Sequence, residues 1–209
     1  AFVRQLSDRL NARQRDAWVD WEGIVYSTTW WEEICSGIEG TDNFVFVVSQ
    51  DSIESVTCQR EIDHARKLHK RIIPLLYRPI DEGAFVADYY THPDKRPYEQ
   101  LARSNWEFIK SIQWIDYATL SDLDLTLDAL LKTADTDPER LRMHTRLLLR
   151  IRDWENRGRD PSALLRGDEL AAYEQWLTFS DAAGDDPRVT DEQHAYIEMS
   201  RTAEAEELA

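Results

Sequence analysis

Two largely apolar segments with a helix between them limit, more than any other feature, the folds that this chain can adopt. The segments are NFVFVVS, which begins at Asn43, and KRIIPLLY, which begins at Lys70. Each has the length and composition of a strand that is covered on both faces, as strands of parallel sheets are. Residues 52–69 between them repeat their apolar positions with the period of a helix. The pattern therefore predicts two parallel strands joined by a helical crossover.

Further elements extend this unit in both directions. Before it, residues 17–20 predict a short strand, and WWEEICSGIEG predicts a helix that Gly40 ends. After it, SIQWIDY predicts a last strand, and SDLDLTLDALLKTA predicts a helix with Ser121 as its N-cap. Pro74 favours an edge position or a strand end for its strand, and residues 78–106, rich in proline and aromatic residues, predict a loop. We expect residues 1–134 to form a doubly wound α/β domain with a parallel sheet.

From residue 135 onward the strand pattern stops and only helical patterns remain. Asp137-Pro138 predicts an N-cap followed by a proline in the first turn of a helix. A second helix begins near Asp168, and TDEQ at residues 190–193 predicts a capping box that opens a third. We expect residues 135–209 to be a helical extension whose apolar faces pack on the α/β domain or on a neighbouring domain.

Composition and charge exclude several classes of function. The hydrophobic fraction of 42%, with eight Trp, indicates a folded core rather than a disordered chain. A formal net charge of −15 repels phosphate backbones and anionic lipids, so we expect neither nucleic-acid binding nor membrane contact. No apolar run has the length of a membrane span. Cys35 and Cys58 have neither zinc-site nor disulfide spacing, which favours a reducing, cytoplasmic compartment.

One carboxylate lies on the apolar side of the helix that joins the two strands. Glu61 falls between the directions of Ala65 and Leu68, on the same arc as Cys58 and Ile62. It is either a partly buried glutamate paired with a nearby basic residue, or a carboxylate that points into a pocket. The nearby basic residues are Arg60, Lys67 and Lys70.

The ordered series AWVDWEGI, WWEEICSGIEGTDNFVFVVSQDSIES, CQREIDHA and RIIPLL resembles a Toll/interleukin-receptor (TIR) domain of the bacterial type. The resemblance covers residues 1 to about 117 and implies a flavodoxin-like sheet whose first strand is central. The chain has no segment that matches this first strand, and we expect it to lie upstream of Ala1. The segment HTRLLLRIRDWENRGRDPSALLRGDEL resembles the extension found in larger bacterial signalling proteins, where β-propeller repeats or a membrane anchor often follow.

The resemblance implies an activity, because the enzymatic branch of the family cleaves NAD+ with a glutamate three residues after a Trp or Cys. Cys58-Gln59-Arg60-Glu61 matches that pattern at both ends. Breaking the bond between ribose and nicotinamide builds positive charge on the sugar, as in glycoside cleavage. A carboxylate stabilises that charge or attacks the sugar carbon, and the sequence leaves both roles open for Glu61.

The resemblance also implies a nucleotide pocket shaped by the loop DWEGIVYSTTW. It assigns substrate binding to a set of acidic, aromatic and thiol residues, namely Asp20, Trp21, Glu22, Tyr26, Trp30 and Cys58. Core packing remains an alternative role for Trp30, and capping of a strand end remains one for Asp20. NAD+ enters as the substrate and no cofactor is expected. His64 and His69 are badly spaced for ligands on one helix face, so no metal site is predicted.

Three functions remain in competition. The first is an intracellular NAD+ glycohydrolase that self-association switches on, an effector of bacterial defence or stress signalling. The second is a TIR scaffold without catalysis that binds other TIR domains. The third is a phosphate-accepting receiver domain on the same kind of fold, which the fold alone does not separate from the other two. The sequence does not determine whether the product is linear or cyclised ADP-ribose.

Overall fold

The computed structural model describes residues 2–19, 30–183 and 187–208. Its contacts divide the chain into two compact units. The first unit contains residues 1–38, 43–66 and 72–136, and the second contains residues 39–42, 67–71 and 137–209.

The first unit alternates helices with three strands. Its elements are α1 (Phe2–Ala12), α2 (Trp30–Gly40), β1 (Asn43–Val48), α3 (Gln50–Glu54), α4 (Val56–Lys67), β2 (Arg71–Leu76), α5 (Glu82–Thr91), a 3₁₀ turn (Arg96–Tyr98), α6 (Glu99–Ser111), β3 (Ile115–Asp116), α7 (Tyr117–Leu120) and α8 (Leu123–Ala134). The predicted α/β architecture is thus confirmed.

The strands form a parallel sheet in the order β1-β2-β3 among the described residues. Leu75 lies opposite Ile115, and the amide of Tyr77 just past β2 donates to the carbonyl of Val48 at 2.9 Å. The sequence favoured an edge position or a strand end for Pro74, because proline has no N–H to donate to a neighbouring strand. Pro74 instead lies in β2, the middle one of these strands. The register gives the reason: β3 begins opposite Leu75, so no β3 residue lies opposite Pro74 and its lost donor.

An apolar cluster joins the sheet to α1 and α8. Its buried members are Phe2, Leu6, Ile73, Leu75, Ile115, Leu127 and Leu130. Phe2 stacks on Tyr77 with ring centroids 4.1 Å apart. At the exposed rim, Arg9 pairs with Asp124 at 2.5 Å, a contact that contributes little because water surrounds both charges.

The predicted loop at residues 78–106 is wrong, because α5, the 3₁₀ turn and most of α6 occupy it. Asp81 caps α5 by accepting a hydrogen bond from the amide of Ala84 at 3.0 Å. Phe85 and Tyr89, four residues apart, are the buried positions of that helix. The aromatic residues that indicated an irregular segment are therefore the buried face of a helix.

Two smaller predictions are also corrected. The N-cap of α8 is Asp122, whose Oδ1 accepts from the amides of Asp124 and Leu125 at 2.8 and 3.0 Å. Ser121 instead ends α7 in the left-handed conformation, with φ of 49°. Residues 17–19 are not in a strand, and Asp20, the end of the predicted strand, lies outside the described residues.

The second unit is built from three long helices, α9 (Pro138–Asn156), α10 (Gly167–Ala183) and α11 (Asp191–Leu208), with a 3₁₀ turn at Pro161–Ala163. They share one apolar core, whose largest members include Leu147, Trp154, Tyr173, Trp176 and Tyr196. The apolar faces of the three helices pack on one another, which the sequence pattern did not predict. Within the described residues, none of the helices has the length and hydropathy that crossing a bilayer requires.

The caps of these helices follow the sequence in part. The capping box is confirmed, because Thr190 and Gln193 exchange hydrogen bonds between side chain and backbone at 3.0 and 3.1 Å. Asp137 does precede Pro138 at the start of α9, but its side chain makes no capping bond and its φ is 49°.

Buried polar groups tie the segments of the second unit together. The ammonium of Lys70 donates to the carbonyls of Glu39 and Thr41, each at 2.8 Å, and to Oγ1 of Thr145 at 3.1 Å. Burial lowers the pKa of Lys70 to about 8. Nε2 of His144 lies 2.9 Å from the carbonyl of Leu68.

Candidate functional site

Glu61 lies on α4, half-buried, at the flank of that helix. Counted at about 100° per residue, its direction falls between the buried Ala65 and the half-buried His64. The helix is capped three residues before Cys58, where Oγ of Ser55 accepts from the Cys58 amide at 3.3 Å. This cap fixes where α4 begins and so which side of the helix Glu61 occupies.

Trp31, in the first turn of α2, lies next to this part of α4. The guanidinium carbon of Arg60 is 3.8 Å from the centroid of the Trp31 ring, a cation–π contact. His64 meets the same ring edge-on at 6.4 Å, and Trp30 lies 6.3 Å from Trp31, measured between centroids. The contacts place Trp31 beside the turn of α4 that carries Glu61.

The connectivity puts this turn at the edge of the sheet where ligands usually bind. Helix α2 leads directly into β1, and α3 and α4 follow it. The first turns of α2 and α4 therefore lie near the carboxyl end of β1. In open α/β sheets, ligands bind outside the carboxyl ends of the strands. Trp30 and Trp31 lie in the first turn of α2 and Glu61 in the second turn of α4, so the connectivity puts all three toward that edge.

Cys58 is half-buried three residues before Glu61, which places both on adjacent turns of one face of α4. The phenol of Tyr89, on α5, lies on the same side of α4 as Cys58. Burial raises the pKa of Tyr89, so the phenol stays neutral there. The surroundings of Cys58 are thus partly apolar.

The residues between Cys58 and Glu61 each make a specific contact. Arg60 covers a face of Trp31, as described above. Gln59 is buried, and its Nε2 donates to the carbonyl of Ile53 at 2.7 Å. Nδ2 of Asn105, on α6, donates to the carbonyl and to Oε1 of Gln59 at 2.8 and 3.0 Å. The motif is therefore held from two sides, by α2 and by α6.

Three of the seven predicted site residues lie among the described residues. Cys58 and Glu61 lie in the first two turns of α4, and Trp30 begins α2, where the next residue, Trp31, contacts Arg60 and His64 of α4. The other four predicted residues, Asp20, Trp21, Glu22 and Tyr26, lie outside the described residues.

The sequence pattern missed two residues of this region. Trp31 is not among the predicted site residues, although its ring is only half-buried and contacts Arg60 and His64. Asn105 was hidden in the predicted loop. The helical spacing of Ala102, Trp106 and Ile109 around it was the signal that could have revealed α6.

Metal binding has no candidate in the described part of the chain. No group of three or more His, Cys, Asp or Glu side chains there could hold a metal ion. The chemistry available at the site is that of a half-buried carboxylate with aromatic rings and a guanidinium nearby. A carboxylate so placed stabilises a developing positive charge.

Fold and site together define an α/β domain with a parallel sheet and a glutamate near the carboxyl end of a strand. The family profile of the TIR domain matches residues 1–131. The chain belongs to the TIR domain family. No curated protein and no solved structure shows a significant match to it.

Proposed function

We propose that the protein is an NAD+ glycohydrolase in which Glu61 is the reacting carboxylate. The observation that supports this is the location of Glu61. It is half-buried on α4, three residues after Cys58 and between Arg60 and His64, which both contact Trp31, and the connectivity puts it toward the carboxyl end of β1. A family that includes NAD+ hydrolases makes this the best-supported reaction for such a carboxylate.

In the proposed reaction, the bond between C1′ of the ribose and the ring nitrogen of nicotinamide breaks. Its electron pair leaves with nicotinamide, which departs as a neutral molecule and needs no general acid. The positive charge left on the sugar is stabilised by the Glu61 carboxylate, through space or through a transient ester. Water then adds to C1′ and its proton goes to solvent, which gives ADP-ribose. An internal nucleophile of the substrate in place of water would give a cyclised product.

The proposed setting is a bacterial cytoplasm, where the protein acts as a defence or stress effector. We propose that residues 1–134 are the TIR domain, that the complete sheet has the flavodoxin-like order, and that residues 135–209 connect it to further domains. Substrate contacts from Asp20, Trp21, Glu22 and Tyr26 are part of the same proposal. Assembly of several copies switches the enzyme on, because a loop of one copy completes the site of the next.

A scaffold function within the same family is the alternative. It is favoured by the Arg60 guanidinium, which covers a face of Trp31 that a flat nicotinamide or adenine ring would otherwise contact. In that case the first turns of α2 and α4 are a protein-binding surface and Glu61 is a contact residue.

Nicotinamide release from NAD+ tests the proposal, measured on the full-length protein at high concentration so that copies can assemble. Glu61→Gln removes the charge and keeps the shape, and we expect it to abolish release. Asp63→Asn is the matched control, because Asp63 is also a half-buried carboxylate on α4 but points almost the opposite way. We expect it to leave release near the wild-type rate.

Each outcome decides one part of the proposal. Release that persists in the Glu61→Gln variant would remove Glu61 from the reaction and leave the activity standing. An assembled wild-type protein that releases no nicotinamide would instead refute the hydrolase and favour the scaffold.

A further inference from the structure

Two fully buried amide side chains join α4 to α6 directly behind Glu61. Gln59 is 1% exposed and Asn105 is 0% exposed. Gln59 reaches the carbonyl of Ile53, and Asn105 donates to both the backbone and the side-chain oxygen of Gln59. Oδ1 of Asn105 accepts from the guanidinium of Arg66 at 2.7 Å.

The hydrogen bonds of this network fix which way the amide groups of Gln59 and Asn105 point. A buried amide without partners is costly, so Gln59 and Asn105 are held in the orientation that satisfies them. Arg66 donates only, and it therefore fixes the Asn105 oxygen toward itself and the Asn105 nitrogen toward Gln59. The same Arg66 nitrogen also donates to Oγ of Ser104 at 3.2 Å, and the guanidinium lies over the Phe108 ring. Arg66, which belongs to α4, thus contacts three residues of α6: Ser104, Asn105 and Phe108.

The network fixes how α4 is rotated about its axis. Gln59 and Glu61 are two residues apart, about 200° around the helix, so bonds at Gln59 hold the side opposite to Glu61. A side chain ends about 5–6 Å from the helix axis, and a rotation of about 10° moves that end by about 1 Å. Apolar contacts tolerate such a rotation more easily than hydrogen bonds, whose geometry is narrow.

We propose that Asn105 and Gln59 are positioning residues that hold the Glu61 carboxylate in register with the ribose, an inference that rests on the proposed NAD+ hydrolysis. They touch neither substrate nor the reacting atoms. Their effect is on kcat, because a misplacement of about 1 Å at a reacting group costs up to about 100-fold in rate.

A double variant separates positioning from simple stability. Gln59→Met with Asn105→Leu replaces both amides by apolar side chains of similar size. Exchanging both partners of a buried hydrogen bond for apolar groups leaves stability nearly unchanged. The two groups that lose a partner keep another one, since the Ile53 carbonyl still accepts from the Tyr89 phenol and Arg66 still donates to Ser104. We expect a folded protein in which kcat for nicotinamide release falls about 10–100-fold while KM stays within about twofold. Ile109→Val, a change at a buried apolar position of the same helix, is the control, and we expect it to keep the wild-type kcat.

The result that overturns the inference is a folded double variant with the wild-type kcat. If the double variant does not fold, Arg66→Met decides, since it keeps the stem over Phe108 and removes the donor to Asn105. We expect a loss of a few-fold to about 10-fold in kcat with KM unchanged, and an unchanged kcat would overturn the inference.

The wild-type and Glu61→Gln proteins, assayed alongside, distinguish a failure of the proposed NAD+ hydrolysis from a failure of the positioning role. Suppose that the wild type and the double variant release nicotinamide and the Glu61→Gln variant does not. The proposed function would then stand, and only the positioning role of Gln59 and Asn105 would be refuted. A wild type that releases no nicotinamide refutes both.

Discussion

At the scale of single residues, His144 shows how burial turns a common side chain into a pH-sensitive one. It is 1% exposed, and Nε2 donates to the carbonyl of Leu68, which leaves Nδ1 as the site of protonation. Nδ1 is buried and has no hydrogen-bond partner among the described residues. Burial, with the charges of Lys70, His69 and Arg140, lowers the pKa of His144 to about 4 from the usual 6.5.

This histidine predicts a loss of stability in acid. The unfolded chain takes up the proton near pH 6.5 and the folded protein only near pH 4, so the free energy of unfolding falls as the pH drops through that window. The shift corresponds to about 3 kcal/mol at most. Urea unfolding between pH 7 and pH 4 measures it. His144→Gln, whose amide can still reach Leu68, should lose less stability over that range, and equal losses would contradict the assignment.

At the scale of elements, the start of α8 shows that neighbouring polar residues are not interchangeable as caps. Ser121 and Asp122 both suit an N-cap by residue type. The short helix α7 decides between them, because it ends at Leu120 and puts Ser121 in the left-handed region. Asp122 is then the first residue free to cap α8.

A pair of variants tests that assignment. Asp122→Ala removes the acceptor for the amides of Asp124 and Leu125, and we expect it to lower the free energy of unfolding by about 1 kcal/mol. Ser121→Gly should be neutral or stabilising, because glycine adopts a φ of 49° without strain. Chemical denaturation of both proteins measures the difference. A larger loss from Ser121→Gly than from Asp122→Ala would restore Ser121 as the cap.

At the scale of the whole molecule, net charge governs how copies meet. The chain carries 40 acidic and 25 basic residues, a formal charge of −15. Two copies therefore repel each other over a distance that salt shortens. The activation by self-association that we propose has to overcome this repulsion.

We therefore expect self-association to strengthen with salt. Raising the ionic strength from about 0.01 M to about 1 M shortens the screening length from about 30 Å to about 3 Å. Sedimentation velocity at fixed protein concentration should show larger species at high salt, and nicotinamide release per chain should rise with them. An uncharged osmolyte at equal osmolality is the control. Smaller species at high salt would show that opposite charges, not apolar contacts, hold the copies together.

Much of the fold could be predicted because its signals are local. The runs NFVFVVS and KRIIPLLY became β1 and β2, and TDEQ became a capping box, since each is determined by residues close in sequence. Residues 78–106 could not be predicted, because prolines and aromatic residues there pointed to a loop. What makes α5 and α6 helical is the burial of Phe85, Tyr89 and Trp106, and burial depends on distant parts of the chain.

In the candidate site, too, features set by residues close in sequence could be predicted and features set by distant contacts could not. That Glu61 follows Cys58 by about one helical turn, at the edge of an apolar face, could be predicted from the sequence, because helix periodicity is a property of the backbone. That Arg60 lies over Trp31 and that Asn105 donates to Gln59 on the opposite side of α4 could not be predicted from the sequence and is seen in the folded structure. Those contacts join residues that are 29 and 46 positions apart along the chain, and only folding brings them within reach.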